Sequence, residues 1–394
     1  MSPLDPLFVN FLLSLCAAAA AVGCLYSLVT SIVIARWRTA KAAPHCEQQP
    51  VTVLKPLHGE EPNLLPRLAA FCLQDYQAET QIVFGVEDRR DPVVSVVAQL
   101  RASFPDRDIA FSISSASFGV NRKISNLVNM NALARHEIIV LSDSDIEVKR
   151  DYLSKVTDAL QQPGVGGVTC LYHGVPGRSL PSVISSLAIN VHFLPNAVAA
   201  IFFGLVRPCF GSTIALTRET LTRIGGFCAF ADRLADDFLI GEAVQASGCK
   251  LAIPTFTVGH ACHETTFQEF FFRQLRCART IKALDPIGYA GAVIANPLPL
   301  ALIASLQLSR GSFTILGAAA LCRLIQCQVV ERTFALPRQK YLLLPLVDVS
   351  LFIVFVASFF GSSVVWRGHR YRLDGGRLAG EDAFSQDSEK AAHR

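Results

Sequence analysis

The stretch Leu7–Ala35 carries no charged side chain, and Arg36, Arg38 and Lys41 follow it at once. A helix of that length spans the roughly 30 Å of hydrocarbon in a bilayer. A cleaved signal peptide would carry its basic residues before a shorter apolar core. Here the order is reversed. The pattern predicts an uncleaved membrane anchor, with the N-terminus outside and the residues after Lys41 in the cytoplasm.

Composition agrees with a membrane-associated chain. The 394 residues are 51% hydrophobic and only 17% charged, with a mean hydropathy of +0.37. Soluble domains carry about 25% charged residues, so an ordinary cytosolic enzyme is disfavoured. So apolar a chain must bury its side chains, which excludes disorder for the bulk of it. Lys+Arg 36 against Asp+Glu 32 leaves a net charge of +4. That is too balanced for a broad phosphate-neutralising surface, so no nucleic-acid partner is expected. The 12 cysteines include no CxxC pair and several stand in apolar runs. They read as reduced, mostly buried small residues rather than a disulfide scaffold. His260, Cys262, His263 and Glu264 resemble a zinc cluster but lack the usual second cysteine pair. A strand end with packed polar residues is the preferred reading.

Three further apolar stretches crowd the last third: Gly288–Leu308, Gly311–Val330 and Tyr341–Phe360. The first contains Asn296, Pro297 and Pro299, and is expected to be kinked or re-entrant. The basic run Trp366–Arg372 then remains on the cytoplasmic side. Residues after about 373 are polar and expected to be mobile. A mid-chain stretch, Ser182–Val206, is apolar but holds Asn190, His192, Pro195 and Asn196. It reads as an interfacial hairpin or buried helix rather than a crossing, because one crossing would separate the acidic motifs on its two sides. The expected organisation is an anchor over 1–40, a soluble domain over 45–285, membrane or interfacial helices over 286–365 and a basic-then-polar tail over 366–394.

Between anchor and bundle, strand-like runs (Val51–Leu54, Gln81–Val86, Ile109–Ile113, Glu137–Leu141) alternate with helical spacing (Glu61–Leu73, Pro92–Ala102, Lys123–Arg135). Such alternation predicts an α/β domain with a mostly parallel sheet. Ligands bind such sheets at the carboxyl ends of the strands. One strand ends in Glu87-Asp88 and another in Ser142-Asp143-Ser144-Asp145. Carboxylates at i and i+2 offer hard oxygens to Mg²⁺ or Mn²⁺, which neutralises a departing diphosphate. Asn121-Arg122-Lys123 opens a helix, whose N-terminus attracts phosphate. Asp236 and Asp237 lie in a helical segment, Asp232–Ala246. Adjacent carboxylates raise each other's pKa, which suits a general base. In Phe267–Lys282, Arg273, Arg276, Arg279 and Lys282 share one helical side opposite phenylalanines. This is an interfacial helix whose arginines can also grip a diphosphate. Neither GxGxxG nor GxxxxGKS occurs.

The ordered set Val51-Thr-Val-Leu-Lys-Pro-Leu-His-Gly59, Asp88, Asn121-Arg-Lys123, Asp143-Ser-Asp145, Cys209-Phe-Gly-Ser212, Gly225-Gly-Phe227, Asp236-Asp237 and Arg273-Gln-Leu-Arg276 resembles the ceramide glucosyltransferase family, glycosyltransferase family 21. The phrases Leu141-Ser-Asp-Ser-Asp-Ile146, Arg207-Pro-Cys-Phe-Gly-Ser-Thr-Ile-Ala215 and Trp366-Arg-Gly-His-Arg-Tyr-Arg372 are similar to its bacterial hopanoid-biosynthesis members. The resemblance implies a GT-A domain between an N-terminal anchor and a C-terminal helical membrane bundle. It implies inverting transfer of N-acetylglucosamine or glucose from a UDP-sugar to a lipid hydroxyl, with bacteriohopanetetrol preferred and ceramide the alternative. By the same resemblance Lys55, Asp88, Lys123, Asp143, Arg273 and Arg276 bind the nucleotide sugar, and Asp143 with Asp145 faces a divalent cation. Asp237 is the base, and His192 and Asp236 stand near the acceptor. The implied location is the bacterial inner membrane, multi-pass, with the catalytic domain cytoplasmic. Cys277 departs from the family pattern, where a tryptophan follows the second arginine; a tryptophan packs along a sugar or acceptor and a cysteine does not.

Other classes fit less well. A processive polysaccharide synthase shares these acidic motifs but needs a larger channel. A non-catalytic sugar-nucleotide scaffold is the non-enzyme alternative, motivated by Cys277. A transporter conflicts with the large α/β body.

Overall fold

The computed structural model describes residues 5–37, 43–361, 363–366, 369–374 and 377–380. The chain divides into two compact units. One holds the N-terminal helix, Pro176–Leu205 and the residues from Glu264 onward through the last long helix. The other holds the chain from the end of that helix to Val175, and Val206–His263. The expected soluble domain over 45–285 is therefore interrupted: the apolar stretch near 180–205 and the basic helix after Glu264 pack with the membrane helices. The hydrophobic effect explains the sorting, because those segments bury their apolar residues against other apolar helices.

The α/β unit is built on a seven-stranded sheet. Its strands are β1 (Val51–Pro56), β2 (Thr80–Val86), β3 (Asp108–Ile113), β4 (Ile138–Leu141), β6 (Val165–Thr169), β8 (Ile214–Thr217) and β9 (Lys250–Ala252), in the order β3-β2-β1-β4-β8-β6-β9. A second sheet orders β5 (Ile146–Glu147), β10 (Thr257–Cys262) and β7 (Leu171–Pro176) as β5-β10-β7. Strands β1 to β4 are parallel where they pair, as the alternation predicts. The sheet as a whole is mixed, because β8 runs antiparallel to both β4 and β6. The chain reaches β8 after its excursion through the other unit and re-enters the sheet in the direction opposite to β4 and β6. It leaves β8 directly into the short helix α8 (Arg218–Arg223), capped by Thr217.

Successive side chains on β4 point to opposite faces. Ile138 and Val140 enter one core with Leu68 and Phe71 of α2 (Leu64–Cys72), Val93 and Val97 of α3 (Val93–Ser103), and Tyr152 and Val156 of α5 (Tyr152–Leu160). Ile139 and Leu141 enter a second core with Leu127 and Met130 of α4 (Arg122–Asn131) and Ile240 and Val244 of α9 (Asp236–Ala246). Helices cover both faces, so the central strands read as continuous apolar runs.

The other unit is helical. Four helices among the described residues are long and apolar enough to cross a membrane: Pro6–Trp37 (α1), Leu180–Phe202, Arg310–Phe334 (α13) and Tyr341–Ser358, the last containing α14 (Leu344–Ser358). The chain is a membrane protein on that composition. The stretch Leu180–Phe202 consists of α6 (Leu180–Ala188), a π-helical turn at Ile189–Phe193 and α7 (Leu194–Phe202). It passes the length criterion for a crossing, yet the chain on both sides of it belongs to the same α/β unit. Gly288–Leu308 is broken, as Asn296 and its prolines predict. The pair Pro286–Ala295, which begins with α11 (Pro286–Gly291), and Pro297–Gln307, which begins with α12 (Pro297–Ala304), meets at 64°. A proline at the first position of the second helix ends the first.

All 12 cysteines are free. The polar tail does not begin where mobility is expected from about 373, since His369–Asp374 pairs antiparallel with Arg377–Gly380. Residues 381–394 of that tail lie outside the described residues.

Candidate active site

The loop after β4 is held through each of its four residues in turn. Lys55, fully buried in β1, reaches under it. Its ammonium lies 3.4 Å from Ser142 Oγ, donates to the Asp143 carbonyl and stands 4.1 Å from the Phe71 ring centroid. Ser144 donates to Glu61 Oε1 at 2.5 Å, and Glu61 in turn pairs with buried Arg67 at 2.8 Å. Asp145 faces His260 Nδ1 of β10 at 3.4 Å. Asp143, whose carbonyl Lys55 already engages, is also held through its side chain by Lys123.

Lys123 stands in the first turn of α4, whose cap Asn121 accepts a hydrogen bond from the Ile124 N–H at 3.1 Å. That cap fixes the helix start and aims Lys123. Its Nζ lies 2.7 Å from Asp143 Oδ1 and 3.5 Å from Asp236 Oδ2. Burial works against the ammonium, but Asp143, Asp236 and Asp237 outweigh it and hold the Lys123 pKa above its ordinary value. Burial also raises the Asp143 pKa, with Lys123 opposing. Asn121 is itself fully buried. Its amide donates to the Arg233 carbonyl at 2.7 Å and to Asp236 Oδ1 at 3.3 Å, which ties the start of α4 to the start of α9.

Asp237 follows on the first turn of α9. Oδ2 accepts from the Gly211 N–H at 3.0 Å and Oδ1 from the Phe238 N–H at 2.8 Å. Burial and the neighbouring Asp236 push its pKa up to about 6, with Lys123 and the two N–H groups opposing. Gly211 has a packing reason to be glycine. A Cβ there would stand 2.8 Å from Asp143 Oδ2 and 3.2 Å from Lys123 Nζ. Lys55, Lys123, Asp143, Asp145, Asp236 and Asp237 thus come together within one unit, around the loop after β4 and the first turns of α4 and α9.

The other expected residues lie on other elements. Asp88, beyond β2, is exposed, and the Arg90 N–H and guanidinium hold its carboxyl below the usual range. His192 lies in the π-helical turn of the helical unit. Arg273 and Arg276 lie on α10 (Phe267–Leu284), also in that unit. Arg273 pairs with Glu264. Arg279 and Lys282 donate to chain carbonyls at Phe360, Ser363 and Ser358, so those two are used within the chain. Cys277 is exposed on the same helix. Two features carry little signal in the sequence. Glu61 stands out only as one member of an amphipathic segment. His260 lies in a packed strand end, as expected, and there it also faces the acidic loop, because β10 pairs with β5 in the register His260↔Ile146.

A divalent cation fits this donor set. Asp143 and Asp145, two residues apart in one loop, supply hard oxygens and are each about a third exposed or less. Mg²⁺ takes one or two carboxylates and completes its shell with water and phosphate oxygens. Among the described residues no group of three or more His, Cys, Asp or Glu side chains surrounds a common point, which is consistent with so sparse a protein ligand set.

Comparison with known proteins places this geometry. The family model for glycosyl transferase family 21 matches residues 15–379. Ceramide glucosyltransferase 1 of Caenorhabditis elegans is 22% identical over 345 residues, covering 83% of this chain and 72% of the relative. Ceramide glucosyltransferase of Gibberella zeae is 30% identical over 151 residues, which is 36% of this chain and 27% of the relative. Among solved structures, the mannosyltransferase PcManGT from Pyrobaculum calidifontis, in complex with GDP-Man and Mn²⁺, superposes with a TM-score of 0.53 at 21% identity. The match covers 89% of this chain and 99% of that one, and at this identity it establishes the shared GT-A fold. With nearly the whole chain inside the family match, this membrane protein belongs to glycosyl transferase family 21 and is a glycosyltransferase.

Proposed function

We propose that the chain transfers a hexose from a UDP-sugar to the hydroxyl of a ceramide-type membrane lipid, with inversion at the anomeric carbon. The observation that carries this reading is Asp237. Its carboxylate is held by two backbone N–H groups beside the Lys123–Asp143 pair, with a pKa pushed up to about 6. A base so poised accepts a proton near neutral pH. The lipid O–H gives its proton to Asp237, the oxygen bonds to the anomeric carbon, and the bond to the diphosphate breaks to release UDP. One carboxylate suffices for inversion, whereas retention through a covalent intermediate needs a second as nucleophile, by analogy with glycosidases.

Asp143 and Asp145 would hold Mg²⁺ or Mn²⁺, which supplies positive charge to the leaving diphosphate. Lys123 adds charge of its own, and Asp88, Arg273 and Arg276 are assigned to the nucleotide. Lys55 acts from beneath, by holding the acidic loop. His192 and Asp236 are assigned to the acceptor side. The ceramide acceptor ranks ahead of bacteriohopanetetrol because the curated relatives are ceramide glucosyltransferases. The hopanoid reading rests on the motif phrases around Leu141, Arg207 and Trp366. The basic residues after the first helix favour an α/β unit on the cytoplasmic side, and the motif phrases similar to bacterial members support a multi-pass protein of the bacterial inner membrane.

The test is radiolabelled transfer by membranes carrying the full chain. UDP-glucose and UDP-N-acetylglucosamine are offered separately with ceramide or bacteriohopanetetrol, with and without EDTA. Labelled glucosylceramide, lost with EDTA, is expected. Labelled glycosyl-hopanoid instead would reassign the acceptor. UDP binding without transfer from any pair would favour a non-catalytic scaffold.

A further inference from the structure

The acidic loop after β4 is closed by its own backbone. The Ile146 N–H donates to the Asp143 carbonyl at 3.3 Å, so Asp143–Ile146 is a β-turn with Ser144 and Asp145 at its centre. The Ala261 N–H of β10 donates to the Asp145 carbonyl at 2.8 Å, and the Lys55 ammonium to that of Asp143. Ser144 is fixed differently, through its side chain. Its hydroxyl donates to Glu61 Oε1 at 2.5 Å, a bond that spans 83 residues of sequence.

Glu61 lies in the connection between β1 and α2, and that connection is itself tied down. Gly59 turns it at φ +70°, a left-handed conformation that glycine adopts freely. The Gly59 N–H donates to both carboxylate oxygens of Asp91, at 2.9 and 3.1 Å, and Asp91 also accepts from the Val93 N–H at the start of α3. Glu61 Oε2 accepts from Arg67 of α2 at 2.8 Å. The Arg67 side chain is 3% exposed. A cation so buried holds its partner firmly, because losing it leaves the charge uncompensated. With Oε2 committed to Arg67, Oε1 is directed at Ser144. Both oxygens are then used, and among the described residues Glu61 forms no group of three metal-ligating side chains with Asp143 and Asp145. What Glu61 restrains is the one residue between those two carboxylates.

We propose that Glu61 is a positioning residue for the divalent cation: through Ser144 it sets the turn so that Asp143 and Asp145 meet one metal ion, without touching the ion itself. The inference rests on the reading of Asp143 and Asp145 as the cation's ligands. Groups that orient ligands from outside the coordination shell change metal affinity by about 10–100-fold. Arg67 acts one step further out, by fixing the orientation of the Glu61 carboxylate.

The test measures Mn²⁺ binding to the purified full-length chain in detergent at saturating UDP, from the electron paramagnetic resonance signal of free Mn²⁺, with thermal unfolding in EDTA alongside. Ser144→Ala removes only the hydroxyl, and Mn²⁺ affinity should fall about tenfold. Glu61→Ala should lose as much, and the double variant no more than either alone, because the two groups act through one bond. Ser144→Thr keeps a hydroxyl and should retain most of the affinity. Glu61→Ala also strips Arg67 of its partner and should melt earlier. Ser144→Ala leaves that pair intact and carries the test should the Glu61 variant fail to fold. Unchanged Mn²⁺ affinity in folded Ser144→Ala overturns the inference. A double variant whose losses add overturns it too, as does a Ser144→Thr that binds as weakly as Ser144→Ala. An unsubstituted chain that binds UDP but no Mn²⁺ overturns the cation reading itself, and this inference with it.

Discussion

Lys123 holds Asp143 at 2.7 Å from the first turn of a capped helix, and both residues precede the mid-chain apolar excursion. The same ammonium stands 3.5 Å from Asp236, beyond that excursion in sequence. The two acidic motifs are therefore one electrostatic cluster. Its sign explains how a lysine and several carboxylates share a half-buried site: each charge is the other's desolvation partner.

Asp237→Asn removes the proposed base while keeping the side chain's shape. Turnover should fall by about 10²–10⁴-fold with UDP binding retained. In the unsubstituted enzyme the acid limb of kcat/KM should reflect the raised Asp237 pKa of about 6. Activity is full above that value and falls tenfold per pH unit below it. An acid limb unchanged near pH 4 would remove Asp237 from the role.

Gly211→Ala places a methyl 2.8 Å from Asp143 Oδ2 and 3.2 Å from Lys123 Nζ. The neighbours are charged groups in a tied network, so the pair must separate. The expected outcome is a donor KM raised by about tenfold and a stability loss of about 1–3 kcal/mol. Isothermal titration with UDP and thermal unfolding read the two effects separately.

Lys55 is fully buried, and burial lowers its pKa to about 7 against the pull of Asp143, Asp145 and Glu61. Between about pH 7 and its ordinary value of 10.5 the unfolded chain binds a proton there that the folded chain does not. Stability therefore rises with pH across that window. Melting temperatures in EDTA should climb from pH 7 to 10 for the native chain relative to Lys55→Met, whose difference curve removes all other titrations. A flat difference would mean that Lys55 remains charged beneath the loop.

In the helical unit Arg323 and Asp348 form a bidentate pair at 2.8 and 2.7 Å, joined through Gln326 to Thr30 of the first helix. Both side chains are under 5% exposed. Asp348→Ala leaves an unpaired buried cation and should cost about 3–5 kcal/mol. Arg323→Met with Asp348→Leu should recover most of that loss. Detergent-resistant thermal unfolding of the three variants decides it, and equal loss in the double variant would show that the charges themselves are needed.

Much of this architecture is legible residue by residue. Apolar runs without charge announce the membrane helices, since only a bilayer or a core accepts them. The period-2 and period-3.6 alternation from Val51 to Leu141 announces parallel strands with helices between. Asn296 with its prolines announces the break at 64°. Sequence also picks out Asp143, Asp145, Asp236 and Asp237, because acidic residues next to apolar runs stand out locally. The mixed direction of β8 is not readable, as strand polarity depends on where the chain returns from. Glu61 and His260 are not readable either. Their roles arise from contacts with a loop more than eighty residues away in sequence.

The division has one physical reason. Hydropathy and periodicity are properties of neighbouring residues, so the sequence by itself determined the apolar helices, the α/β body and its acidic strand ends. A hydrogen bond or ion pair depends on positions in space. Only the tertiary structure decided that Lys123 bridges Asp143 to Asp236, that Lys55 supports the loop from below, and that Glu61 holds it through Ser144.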